Sequence, residues 1–116
     1  KAGRNPGSYG KNDYENNDFG YFIVDEEAGE LIVDGKPVPT PAQVFLLLVY
    51  FCKNVNRVLS KEQLYAAVWG SNHMVDDNTI MVHIRRIRER IEPDPSNPKF
   101  LITVRGLGYK LVKDRM

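Results

Sequence analysis

Cysteine, tryptophan and histidine are all scarce in this chain of 116 residues, which holds one Cys, one Trp and two His. Cys52 has no second cysteine to pair with, so an internal disulfide is excluded and a reducing, cytoplasmic compartment is expected. With two histidines there is little material for a metal centre. His73, Asp76, Asp77 and His83 bring ligand types into one stretch. However, Asp76 and His83 lie about two helical turns apart, roughly 10 Å, and cannot share an ion without a bend. Neither metal nor cofactor is expected. Long apolar runs are missing too: the longest is Val44 to Cys52, far below the ~18 residues of a membrane helix. No segment joins a basic start, an apolar centre and a small-residue cleavage site, so no secretory signal is visible. Gly10-Lys11 is followed by Asn12 and lacks the earlier glycine of a phosphate loop. Gly106-Leu107-Gly108 lacks the third glycine and following helix of a dinucleotide site. No nucleophile–base pair or paired carboxylates occur at useful spacing, so an enzyme is not expected.

What is present is the balance of one globular domain, with 42% hydrophobic and 27% charged residues. The net charge of +1 hides an asymmetry. Residues 1–78 hold 7 basic and 11 acidic side chains, whereas residues 79–116 hold 9 basic and 4 acidic. The second part is therefore at +5 and points to an anionic partner, although a solvated helix face explains charge alone equally well.

Residues 1–17, rich in Gly, Asn and charge and without apolar periodicity, read as a flexible tail or interdomain linker. The chain starts at Lys1 rather than Met, so a piece of a longer protein is expected. Residues 18–116 read as one domain. Phe19–Val24 and Leu31–Val33 have strand character, and Asp34-Gly35 signals a tight turn before Lys36-Pro37-Val38. Pro37 and Pro39 confine that last strand to an edge. Thr40 is expected to cap a helix with Pro41 in its first position and Gln43 closing a capping box. Val44 to Lys53 is apolar almost all round and should be the buried centre, with Cys52 a core thiol. Asn54 and Asn56 can take the left-handed conformation that ends a helix. Ser60-Lys61-Glu62-Gln63 is a second capping box opening a helix through Trp69, with Leu64, Ala67 and Val68 on one face and Gly70 as the stop. Asp76 or Asp77 caps a third helix over about 77–92, ended by Pro93. Phe100–Val104 and Tyr109–Val112 then read as a hairpin turning at Arg105-Gly106-Leu107-Gly108. The fold class is α+β: an N-terminal antiparallel sheet, three helices and a C-terminal β-hairpin.

At about 100° per residue, Ile80, Ile84, Ile87 and Ile91 form one narrow stripe, which is the core face of the third helix. Thr79, Val82 and Arg86 fall within about 60° of one another on a different stripe, turned away from that core. Asn78 and Arg85 flank it on one side, His83 and Arg90 on the other. Thr and Val can meet a thymine methyl, and Arg can bind the O6/N7 edge of guanine. A shorter capped helix precedes this one across a brief loop, a helix-turn-helix arrangement with a lengthened turn. The hairpin downstream carries Arg105 at its tip, placed as a wing that can reach a minor groove. Helix, loop and hairpin converge on nucleic-acid binding. The alternative is a winged-helix interaction module that docks an acidic protein on the same basic face.

The stretches TPAQVFLLL (40–48), NRVLSKEQLYAAVWG (56–70) and VDDNTIMVHIRRIRERIEPDPSNPKFLITVRGLGYKL (75–111) resemble the winged-helix output domain of OmpR/PhoB-type bacterial response regulators. The V-H-I-R-R-x-R helix followed by T-V-R-G-x-G-Y is the most specific part, and Phe19–Val38 fits the N-terminal sheet of the family more loosely. The resemblance implies a sequence-specific transcription regulator of a two-component system that binds double-stranded DNA through its third helix. Matched position by position, Thr79, Val82 and Arg86 would face bases, and His83 and Arg85 would hold phosphates. Trp69 and Thr103 match backbone contacts, Arg105 the wing arginine and Tyr109 a contact beside it. Asn78, Arg88 and Gly106 complete the candidate DNA-binding set. The loop Ser71, Asn72, His73, Met74, Val75 matches the segment that engages RNA polymerase in some members. An upstream receiver domain, a cognate histidine kinase and tandem DNA half-sites are likewise implied by the resemblance. Asn78 stands where an arginine is common, which removes one phosphate contact. Met81 replaces a usually polar residue, which allows a protein contact or altered packing there.

Overall fold

The computed structural model of the chain describes residues 17–70 and 76–113. Alternating burial in two short segments builds the first sheet. In β1 (Phe22–Asp25) Phe22 and Val24 point inward, and in β2 (Glu30–Val33) Leu31 and Val33 do the same. The two pair antiparallel with Phe22 opposite Val33 and Asp25 opposite Glu30. Asp34 and Gly35 both have positive φ, 52° and 80°, as a two-residue turn matched to strand twist requires. They lead into β3 (Lys36–Val38), which lies at the edge of the β1-β2-β3 sheet as its proline demands. The first described residue, Asn17, is already buried and donates to Glu26, while residues 1–16 lie outside the described part.

Three helices follow: α1 (Ala42–Lys53), α2 (Lys61–Trp69) and α3 (Asp77–Ile91). The expected cap of α1 is corrected. Pro41, not Thr40, is the N-cap, no side chain caps the helix, and the Thr40 hydroxyl instead donates back to the Val38 carbonyl at 3.0 Å. Proline lacks an N–H and its fixed φ starts the helix without a side-chain partner. Val44, Leu47, Leu48, Phe51 and Cys52 are buried, but Leu46 is 52% exposed, so α1 is central on one face and not all round. Burial pushes the Cys52 thiol well up from its ordinary range, with Glu26 adding and Lys113 opposing, which makes it an unreactive core group. Of the two candidate terminators, Asn56 takes positive φ (67°) and Asn54 does not.

Ser60 caps α2 with both halves of the capping box formed: it accepts from the Gln63 N–H at 3.1 Å and its own N–H donates to Gln63 at 2.8 Å. Only Leu64 of the proposed α2 face is buried; Val68 is half-buried and Ala67 is exposed. Asp76 caps α3 by accepting from the Asn78 N–H at 3.0 Å. The helix ends at Ile91, and Glu92, preceding a proline, is extended. Ile80, Ile84, Ile87 and Ile91 all enter the core, as their spacing predicts.

In the hairpin, β4 (Leu101–Val104) begins one residue later than the sequence suggests and β5 (Gly108–Leu111) is shifted one residue toward the turn, which runs through Arg105, Gly106 and Leu107. It is held from two sides. Leu59, in the α1–α2 connection, exchanges both backbone hydrogen bonds with Tyr109, at 2.8 and 2.9 Å. Asn56 adds a bond from its N–H to the Leu111 carbonyl and a paired exchange with Lys113. At the base, Phe100 packs edge-on against Phe22 with ring centres 5.1 Å apart, joining the hairpin to the N-terminal sheet.

Candidate nucleic-acid interface

The amphipathic pattern of α3 fixes one stripe in the core and leaves the opposite side for a partner. Asn78, Met81, Arg85, Arg86 and Glu89 are exposed, and Thr79, Val82, His83, Arg88 and Arg90 are half-buried. Met81 is 56% exposed, so its side chain is not repacked into the domain. The basic residues divide into two groups. Arg88 is a strut to the hairpin: Nε donates to the Leu101 carbonyl at 2.9 Å and NH2 to the Thr103 hydroxyl at 3.0 Å, with the guanidinium 6.0 Å from the Tyr109 ring centre. Burial lowers its pKa from the ordinary arginine range, while the charges of Tyr109 and Glu92 act in the other direction. Arg90 donates to the carbonyls of Pro39 and Arg86, at 3.0 and 2.9 Å. By contrast, the guanidinium groups of Arg85, Arg86 and Arg105 make no hydrogen bond or ion pair with any described residue.

The structure thus brings Arg88, Thr103 and Tyr109 together on one side of α3. It brings Trp69 and His83 together on another. The His83 ring stands edge-on to Trp69, with centroids 4.9 Å apart at 90°, and Trp69 stacks on Tyr65 at 5.0 Å. His83 Nδ1 lies 2.8 Å from the Thr79 carbonyl oxygen. At the start of α3, Lys61 bridges Asp77 at 3.1 Å, and the hydrogen bond and charge of Asp77 raise the Lys61 pKa. Arg105 and Gly106 sit at the exposed hairpin tip beside Leu107, which is 63% exposed, and Gly106 has φ 80°. Ser71 to Val75 lie outside the described residues.

One residue that positions the interface has no counterpart in the sequence reading. Glu92 is 4% exposed, and its carboxylate accepts from the backbone N–H groups of Lys99, Phe100 and Leu101 at 2.7–3.2 Å. It ties the end of α3 to the start of β4. An acidic residue at the negative end of a helix is electrostatically misplaced, and that is the signal that could have marked it.

The family model described as "Transcriptional regulatory protein, C terminal" matches residues 35–111. The chain belongs to this family. It is a DNA-binding domain of a response-regulator type of transcription regulator, with the OmpR/PhoB winged-helix fold, and not an enzyme. The transcriptional regulatory protein YvrH of Bacillus subtilis (strain 168) is 52% identical over 94 residues, which cover 81% of this chain and 40% of that protein. The response regulator DrrB of Thermotoga maritima, an OmpR/PhoB homologue, matches with a TM-score of 0.75 at 29% identity, over 82% of this chain and 43% of its own. The C-terminal effector domain of BfmR from Acinetobacter baumannii matches with a TM-score of 0.70 at 33% identity, over 83% and 88% of the two chains. This chain spans about 40% of the length of the curated relatives it matches. Among the described residues of this OmpR/PhoB-type domain, no helix is long and apolar enough to cross a membrane.

Proposed function

We propose that α3 lies in the major groove of duplex DNA with Thr79, Val82 and Arg86 toward the bases, and that the hairpin carries Arg105 to the adjoining minor groove. One observation carries this reading: the domain holds Arg88 and Arg90 to its own backbone and leaves Arg85, Arg86 and Arg105 without a partner among the described residues. Arg85 and His83 meet phosphates on either side, with Trp69 supporting His83. Arg88 acts by fixing Thr103 and the hairpin relative to α3, and Asn78 lies at the groove entrance. Tyr109 and Gly106 complete the wing side. The target is bacterial chromosomal DNA, which sets the site of action in the cytoplasm. In the whole regulator, a receiver domain phosphorylated by a histidine kinase precedes this domain, and Ser71–Val75 face RNA polymerase.

The test is an equilibrium mobility shift on duplex DNA with excess competitor, repeated across salt. Cations at Arg85, Arg86 and Arg105 displace counterions, so log K against log salt should fall with a slope of roughly −2 to −4. Retention of an acidic protein with no shift of duplex DNA would instead support the protein-docking alternative.

A further inference from the structure

We propose that His83 contacts DNA only as the imidazolium, so that binding takes up one proton at its Nε2. This rests on the reading above, in which His83 lies against a phosphate. The Nδ1 atom is 2.8 Å from the Thr79 carbonyl oxygen, which can only accept a hydrogen bond. The Nδ1 atom therefore carries the proton, and in the neutral ring Nε2 is an acceptor. A phosphodiester oxygen is also an acceptor, so a neutral His83 in this orientation presents a lone pair to a lone pair. Turning the ring over would put a carbon where Nδ1 now stands and break the Thr79 bond, while the edge-on packing against Trp69 holds the ring plane. The contact forms when Nε2 gains a proton while Nδ1 keeps its bond.

The groups around the ring allow this. From α2 it is faced by Trp69, whose indole carries no charge and is stacked in turn on Tyr65. Along its own side of α3 lie Asp76, whose carboxylate is occupied by the Asn78 N–H, and the cations Arg86 and Arg90 one and two turns on. Arg90 is drawn away to the Pro39 carbonyl before α1. No acidic side chain among the described residues is hydrogen-bonded to the ring. The phosphate is then the opposite charge that favours the protonated form.

The test uses the full chain and a duplex selected from a random library, at constant ionic strength between pH 5.5 and 8. Affinity should rise toward acid by up to about tenfold per pH unit, and calorimetry in two buffers of different ionisation enthalpy should register uptake of up to one proton. His83→Gln, whose amide donates at any pH, should flatten the dependence. Nitrogen NMR of the imidazole in the parent chain, which does not depend on any variant folding, should show Nδ1–H in the free domain and both nitrogens protonated in the complex. Binding that is tight but independent of pH, an unchanged dependence in His83→Gln, or an Nε2–H tautomer in the free domain would overturn it. No duplex binding at any pH would overturn the DNA reading on which it rests.

Discussion

Gly108 is the residue on which the position of the wing turns. Its φ is 144°, and a Cβ there would overlap the Leu59 carbonyl oxygen, which is the acceptor for the Tyr109 N–H. Gly108→Ala should therefore push the α1–α2 connection off β5 and cost about 2–4 kcal/mol, read as an earlier denaturant midpoint. A variant as stable as the parent would show that the Leu59–Tyr109 pairing does not hold the hairpin. The glycine was legible only as a turn residue, because its reason for being there is Leu59, 49 residues upstream. Glu92 was legible only as an acidic residue misplaced at the negative end of a helix, because its three N–H partners are brought to it by the fold of the following connection and strand. Ser60 and Asn56 were legible because a capping box and a left-handed asparagine are decided by neighbours in the chain. Thr40 shows the limit of that logic. Its spacing to Gln43 fits a capping box, yet Pro41 takes the cap and the hydroxyl turns back to Val38.

At the scale of elements, α3 was the most readable because its four isoleucines commit one face to the core over the whole helix. The same arithmetic places Thr79, Val82 and Arg86 away from that face, but it cannot say which arginines the fold uses for itself. Arg88 and Arg90 differ from Arg85 and Arg86 through carbonyls on β4 and at Pro39, contacts that only the tertiary structure supplies. The hairpin presents Arg105 at a three-residue tip where Gly106, with φ 80°, keeps the backbone slender. Narrow A·T-rich minor grooves concentrate negative potential, so Arg105→Ala should weaken binding most on duplexes with A·T-rich flanks. Equal losses on A·T-rich and G·C-rich flanks would make Arg105 a general phosphate contact.

At the scale of the molecule, the two sheets and three helices of the described residues form one unit, closed at the base by Phe22 and Phe100. The charge asymmetry between residues 1–78 and 79–116 was visible in the sequence, and Arg85, Arg86 and Arg105 of its basic part lie on α3 and the hairpin tip. The domain alone should sediment as a monomer and fill tandem half-sites spaced about one helical turn, ~10–10.5 bp. A tight dimer without DNA would contradict this. Whether α3 reads bases with the Arg86 stripe and grips phosphate with Arg85 is decided by binding both alanine variants to a single-base operator library. Arg85 and Arg86 project about 100° apart and are both exposed, so neither change should alter thermal unfolding much. Arg86→Ala should lose ~1–3 kcal/mol on the cognate site and flatten discrimination at one guanine. Arg85→Ala should weaken all sequences alike and make the salt slope shallower by about one unit. The reverse pattern, with Arg85→Ala relaxing specificity and Arg86→Ala weakening binding uniformly, would contradict the account and require the base-facing stripe of α3 to be rotated.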